Sequence, residues 1–335
     1  MNPAERNELV GGFDTVLEDS ISIEDALLAS QSGRWPTGLR RTLSEMGFFD
    51  LALAQSVEGL DLDLRTLASL CIATGYRLLP PSLVFEALVL APTLEAAGVE
   101  HSGQLQALRN GLLAGGGCVL DSGFADGDLA SKVRMSVSPE AAIACVVTSD
   151  DLATVINVEA AKTQDLQPTD LLSRRIQLDP TLEPQTQLPG SVRYNWLVGS
   201  LADCIGAGSA ALDMAVEYSQ AREQFGQPLF RFQAISHRLA EMKADVELAL
   251  SSLSRLIYLA ETDSEGLDAF LASLVHAVPL HMRTVCEGAI QIHGGMGFTW
   301  EAGIHMYYRR VLQTQALLGG TRQTAQRVGA LTFGD

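Results

Sequence analysis

Cysteine and positive charge are both scarce in this chain. Its five cysteines, Cys71, Cys118, Cys145, Cys204 and Cys286, are odd in number and far apart. No Cys-x-x-Cys pair occurs, and no Cys/His spacing suits a zinc site. They read as reduced, mostly buried thiols of a cytoplasmic protein. Lysine and arginine number 23 against 40 acidic residues, for a net charge of −17. That balance argues against nucleic acid and against an anionic membrane surface, which are held mainly through Lys and Arg. No apolar run approaches the roughly 20 residues that span a bilayer. The start, Met1-Asn-Pro-Ala-Glu-Arg, has neither the basic nor the apolar region of a signal peptide.

Several chemical signatures are also missing. There is no Gly-x-Ser-x-Gly nucleophile elbow, no Walker A loop and no Gly-x-Gly-x-x-Gly fingerprint. Gly294-Gly295-Met296-Gly297 follows a helical pattern rather than a strand, so it fails the context test for a βαβ nucleotide site. His276, His281 and His305 show no metal spacing. His237 reads as a packing or hydrogen-bonding residue on a long helix. Trp35, Trp196 and Trp300 read as buried structural aromatics.

What is present is enough chain for two or three domains, with 335 residues in all. Residues 1–113 read as helical: Ser22 is a cap for the helix at Ile23, Phe13, Val16 and Leu17 follow a Gly11-Gly12 break, and Leu83–Ala97 resumes after Pro80-Pro81. Residues 114–188 read as a small, mostly antiparallel β domain. Val133, Met135 and Val137 alternate with polar residues, as do Ile176 and Leu178, and Ile143–Val147 and Leu152–Val158 are short β-rich runs. Residues 189–335 are helical again. Ile235, Leu239, Met242, Val246, Leu250, Leu253 and Ile257 step by three or four, the stripe of a helix in an antiparallel bundle. A further helix is expected from Leu267 to His293, kinked at Pro279. The fold class is mostly α with a small β domain, in the order helix, sheet, helix.

Charge is uneven along this order. Residues 1–185 carry 12 basic and 26 acidic groups (net −14), and residues 186–335 carry 11 and 14 (net −3). Ala302–Gly334 holds four arginines and no acid. Two stretches of this half stand out. At Phe225-Gly226 a helix breaks amid Arg222, Gln224, Arg231 and Gln233, planar donors suited to a phosphate or a heterocycle. At Gln291-Ile-His-Gly-Gly-Met-Gly-Phe298 glycines end a helix and let backbone approach a ligand. Taken singly, each also reads as an ordinary loop or a helix C-cap.

Together, REQFGQPLFRFQAISHRLAEM, AIQIHGGMGFTWE and YYRRVL…GGT, in this order and spacing, resemble the C-terminal helical domain of acyl-CoA dehydrogenases. The resemblance covers roughly residues 195–330. Over 1–115, GYRLLPPSLVFEALVLAP followed by LLAGG resembles the N-terminal domain of members acting on steroid or bile-acid side chains. It implies an N-terminal helical domain, a reduced middle β domain and a C-terminal four-helix bundle. It also implies flavin adenine dinucleotide (FAD) shared across a subunit interface. Carried over by motif, Arg222 and Phe225 meet the pyrophosphate and adenine region, Gln233 reaches the same cofactor, and Gln291, Gly294 and Gly295 lie along the adenosine. Thr321 and Gln323 contact the flavin bound with the opposing chain. His293 reads as a helix-end polar group beside them.

The family's reaction is α,β-dehydrogenation of an acyl-CoA thioester, with a carboxylate removing the α-proton. Its two usual base positions correspond here to Gly319 and Trp196, so no catalytic residue is assigned. The nearest acids, Asp203 and Glu301, do not align. A TEPxxGSD-like loop and a KxW-I-[TS]-N-like strand are also missing from 114–185; LDSGFADGDLASKV stands in place of the loop. The implied reading is a non-catalytic subunit paired, as a dimer or a dimer of dimers, with a full-length catalytic subunit that binds the acyl-CoA. Two alternatives stay open: an active homo-oligomer with a relocated base at Asp203 or Glu301, and a non-enzymatic helical assembly protein. The retained donor set argues against the last.

Overall fold

In a computed structural model, residues 2–35, 38–119, 133–148, 150–161, 163–178, 186–262 and 265–334 are described. Except for Val133, the LDSGFADGDLASKV stretch lies outside them. The chain divides into two compact units, Met1–Cys71 with Leu79–Ser200, and Ile72–Leu78 with Leu201–Asp335.

The first unit opens with α1 (Pro3–Ser20), α2 (Ile23–Ser32) and α3 (Leu39–Glu45). Asn2 and Glu5 form a capping box on α1, and Ser22 and Asp25 form another on α2, so both starts follow from local sequence. The expected Gly11-Gly12 break does not occur: α1 runs through both glycines. Its register is held by burial of Phe13 and Leu17, with Phe13 stacked on Phe48 at 5.8 Å. After α4 (Leu64–Tyr76) comes one buried helical segment: α5 (Pro81–Phe85), a π-helical turn (Glu86–Leu90) and α6 (Ala91–Ala96). Every residue from Ser82 to Leu94 is buried, as expected of a central helix that is apolar all round. Glu86 is its one charged residue up to Leu94. Arg40 grips it at 2.6 and 3.3 Å, and the Gly115 N–H donates to it at 3.1 Å. Burial pushes the Glu86 carboxyl up, and Arg40 pulls it back.

After α7 (Ser102–Arg109), seven strands form one sheet: β1 (Gly116–Val119), β2 (Val133–Val137), β3 (Ile143–Val147), β4 (Leu152–Asn157), β5 (Thr163–Leu166), β6 (Arg174–Leu178) and β7 (Thr186–Gln187). Their order is β5-β6-β2-β1-β3-β4-β7. Among the described residues only β1–β3 is a parallel pair, so the sheet is mostly antiparallel, as the alternation implies. Met135 pairs with Ile176 across β2–β6, and both join a core with Cys118, Val137, Ala144, Val146 and Ile156. β1 was not legible as a strand because its glycines read as a breaker. They are there for close approach: a Cβ at Gly117 would lie 1.9 Å from the Cys145 carbonyl and 2.7 Å from the Phe85 ring.

The second unit is helical. It contains α8 (Gly190–Ala221) from Leu201 onward, then α9 (Gln233–Glu261), α10 (Leu267–His293), α11 (His305–Leu317) and α12 (Gly320–Phe333). Met242, Val246, Leu253 and Ile257 of the expected stripe are buried. Glycines set the closest crossings. A Cβ at Gly206 would lie 2.0 Å from the Ile72 carbonyl, one at Gly208 2.4 Å from Met282 Sδ, and one at Gly288 2.7 Å from Met242 Sδ. Pro279 is buried inside α10, which continues through it. One expectation is corrected here: α8 and the segment Leu267–Phe298 are long and apolar enough to cross a membrane by length and composition. In α8 the Val, Leu, Ile and Ala residues raise the mean hydropathy, while Asp203 and Asp213 interrupt the apolar run. In α8, 78% of the apolar window is buried inside the protein, which marks a core helix.

Candidate cofactor site

The first donor-rich stretch folds as a small hairpin rather than as a simple helix break. α8 ends at Ala221, and β8 (Glu223–Gln224) pairs with β9 (Gln227–Pro228). Phe225 and Gly226 form its tip at φ 52° and 80°, the left-handed pair of a type I′ turn. The root is tied by Arg222 N–H to the Tyr218 carbonyl at 2.8 Å and by Leu229 N–H to the Arg222 carbonyl at 2.9 Å. Phe225 is 94% exposed, with Phe232 edge-on at 6.2 Å. A bulky residue held in left-handed backbone with its ring in water is costly on two counts, and such cost concentrates at ligand sites. Arg222, Gln224, Arg231 and Gln233 are exposed around this hairpin. Gln233 opens α9, whose N-terminus has no side-chain cap. Its Ile235 and Ser236 N–H groups bond the Phe232 carbonyl, and the positive end of the helix dipole lies at the same hairpin root as the arginines.

The second stretch closes α10. Gln291 is exposed and His293 is buried. Gly294 follows as the C-cap at φ 62° and opens a 3₁₀ turn to Phe298. A Cβ at Gly294 or Gly295 would meet no atom within 4 Å, so internal packing does not require Gly295; the space beside both is open. His293 donates from Nδ1 to the Ala289 carbonyl at 2.8 Å and stacks on Tyr218, centroids 4.3 Å apart. The end of α8, the start of α9 and the end of α10 therefore meet at one end of the bundle. They bring Arg222, Phe225, Gln233, Gln291, Gly294 and Gly295 together. Tyr218 went unassigned in the sequence, where its only signal was its place four residues before Arg222.

Thr321 and Gln323 lie elsewhere. They belong to the first turn of α12, where the Thr321 hydroxyl accepts from Gln315 Nε2 at 3.1 Å. His276 bonds Thr324 at 2.9 Å, anchoring this turn seventeen residues before His293 along α10, about 25 Å at helical rise. One chain does not gather all eight residues into a single site. Burial, and to a lesser extent the charge of Arg309, hold His305 below its ordinary value.

The base positions hold no acid. Gly319 caps α12 at φ 102°, a backbone that disfavours any side chain. Trp196 is 6% exposed, with Phe85 edge-on at 6.5 Å. Asp203 is buried and bound by Arg310 Nη1 at 3.1 Å to both oxygens and by the Thr74 hydroxyl at 3.1 Å, which makes it part of a buried ion pair. Glu301 is exposed. Trp300, expected to be buried, is 47% exposed with its ring edge-to-face on His305. His237, expected to pack or hydrogen-bond, is exposed, which removes the packing option.

FAD passes the test of fit at its ADP half. Exposed guanidinium, uncapped helix N–H groups, an exposed aromatic and open glycine backbone are what a pyrophosphate and an adenine ask for. The chain thus combines a helical bundle that carries such an end with a small mixed sheet. Residues 198–330 match the family described as Acyl-CoA dehydrogenase, C-terminal domain. That stretch is therefore similar to the C-terminal domain of acyl-CoA dehydrogenases. Acyl-CoA dehydrogenase IpdE2 of Mycolicibacterium smegmatis is 36% identical over 132 residues, covering 39% of this chain and 40% of that protein. Its namesake in Mycobacterium tuberculosis is 27% identical over 304 residues, covering 90% of this chain and 89% of that one. The ChsE4-ChsE5 complex from Mycobacterium tuberculosis shares the fold, with a TM-score of 0.80 at 20% identity over 98% of this chain and 97% of that one. A variant of the Tcur3481-Tcur3483 steroid ACAD gives 0.78 at 23% identity, with the same coverage.

Proposed function

We propose that this chain is the non-catalytic subunit of a heteromeric, FAD-dependent acyl-CoA dehydrogenase. It lends the ADP-binding end of a flavin site to a full-length partner that supplies the base, the acyl-CoA pocket and the wall of the flavin ring. The observation that carries this reading is the contrast between two sets of positions. The ADP-end donors are exposed and converge, while the base positions hold Gly319 in left-handed backbone and Trp196 packed on Phe85. When bound, the flavin accepts the two electrons removed from the acyl chain. Arg222 and the start of α9 hold the pyrophosphate, Phe225 covers the adenine, and Gln291 with Gly294 and Gly295 borders the adenosine. Thr321 and Gln323, remote from that end, serve a flavin bound with the opposing chain. The named neighbours that pair two chains, one of them a steroid ACAD, support a heteromer acting on the acyl side chain of a fused-ring substrate. Five buried free thiols suit a cytoplasmic enzyme.

Co-expression with the product of the adjacent gene tests the proposal. The complex is expected to carry half a flavin per chain and to oxidise an acyl-CoA, whereas the lone chain does neither. Stoichiometric flavin and dehydrogenase activity in the lone chain would sink the reading.

A further inference from the structure

The two segments that meet at the end of the bundle come from elements 75 residues apart in sequence, and one ring pair joins them. Tyr218 stands in the last turn of α8, four residues before Arg222, and His293 is the last residue of α10, immediately before Gly294. Their rings stack at 4.3 Å with an interplanar angle of 20°. His293 is only 7% exposed, and its Nδ1 is committed to the Ala289 carbonyl at 2.8 Å, which fixes the plane of the ring. From Tyr218 the link continues through the backbone: its carbonyl takes the Arg222 N–H at 2.8 Å, and the Arg222 carbonyl takes the Leu229 N–H that closes the hairpin. On the other side, Gly294 and Gly295 carry no side chain to anchor them, and a Cβ at either would touch nothing within 4 Å. The stack, beside the α9–α10 crossing at Gly288 and Met242, therefore ties this glycine turn to the Arg222–Phe225 hairpin.

We propose that Tyr218 and His293 form a positioning clasp for the ADP end of the cofactor. The clasp fixes the spacing between the Arg222–Phe225 hairpin and the Gly294-Gly295 turn before the dinucleotide arrives. This rests on the cofactor reading above. His293 is too buried to serve as a ligand group; it acts through its neighbours. A spacing set in advance lowers the ordering cost of binding, and the lost stack alone is worth about tenfold in affinity.

The test uses the chain purified with its partner and FAD as the probe, read by flavin fluorescence, with the thermal midpoint of each complex measured beside it. His293→Ala and Tyr218→Ala are each expected to weaken FAD binding about tenfold, and the double variant to lose no more than either single. His293→Phe and Tyr218→Phe, which keep a ring, restore the affinity. Where the alanine variants do not fold, His293→Asn against His293→Phe reads the same stack, because Asn keeps a donor toward Ala289 and loses the ring. Unchanged affinity in the single variants, losses that multiply in the double, or a lowered midpoint with intact FAD binding overturns the clasp alone. An unaltered complex that takes no FAD overturns the cofactor reading and the clasp with it.

Discussion

At the scale of single residues, the departures from family pattern carry more weight than the matches. Gly319 is the sharpest case. Its φ of 102° means that the position is closed to a carboxylate by backbone geometry as well as by identity. Gly319→Glu is expected to lower stability by about 1–2 kcal/mol, read from the denaturant midpoint, and to leave the lone chain without dehydrogenase activity. Recovery of activity at unchanged stability would show that the site still accepts a base. Asp203 teaches the converse lesson. Its residue type made it a candidate base, but 107 residues downstream Arg310 occupies both its oxygens. Nothing in local spacing announced that pair. Phe225 was legible as a motif residue, but its left-handed backbone and full exposure were not, because both depend on the hairpin that forms around it.

At the scale of elements, most boundaries follow from caps and periodicity. Asp63 precedes α4 and accepts the Thr66 N–H at 2.8 Å, an N-cap worth about 1 kcal/mol. Partial burial opposes its ionisation, but the Thr66 N–H and hydroxyl and the charge of Arg6 outweigh that, and the carboxyl lies below its ordinary value. A depressed folded value means stability that is present above the unfolded value and lost as pH falls through the folded one. Asp63→Ala is therefore expected to cost about 1 kcal/mol at neutral pH. The gap to the parent chain should narrow as pH drops below the ordinary 3.8, followed by urea melts across pH; a gap independent of pH would refute the cap. The stripe of α9 and the alternation of β2 and β6 were readable because burial on one face imposes a period. The continuity of α1 across Gly11-Gly12 and the strand at Gly116–Val119 were not. Glycine has no side chain to report which neighbours surround it.

At the scale of the whole molecule, the second unit is built around one fully buried cation. Arg310 is 0% exposed and faces Asp203 and its neighbours. Arg310→Met leaves the Asp203 charge buried and is expected to cost about 3–5 kcal/mol. Adding Asp203→Asn should recover part of that loss, measured by chemical denaturation of the full chain. If Asp203→Asn instead abolished acyl-CoA oxidation by the complex without changing stability, the relocated-base alternative would return. The helix–sheet–helix order, the bundle and the uneven charge of the two halves could all be read from the chain itself. Periodicity, capping and charge are local properties, and each residue carries its share of them regardless of its distant neighbours. The stack of Tyr218 on His293, the Asp203–Arg310 pair and the division of the eight candidate residues between two ends of α10 emerged only with the packed helices. Each is a meeting of residues far apart in sequence, set by where glycine crossings let helices approach, and no local pattern encodes that distance.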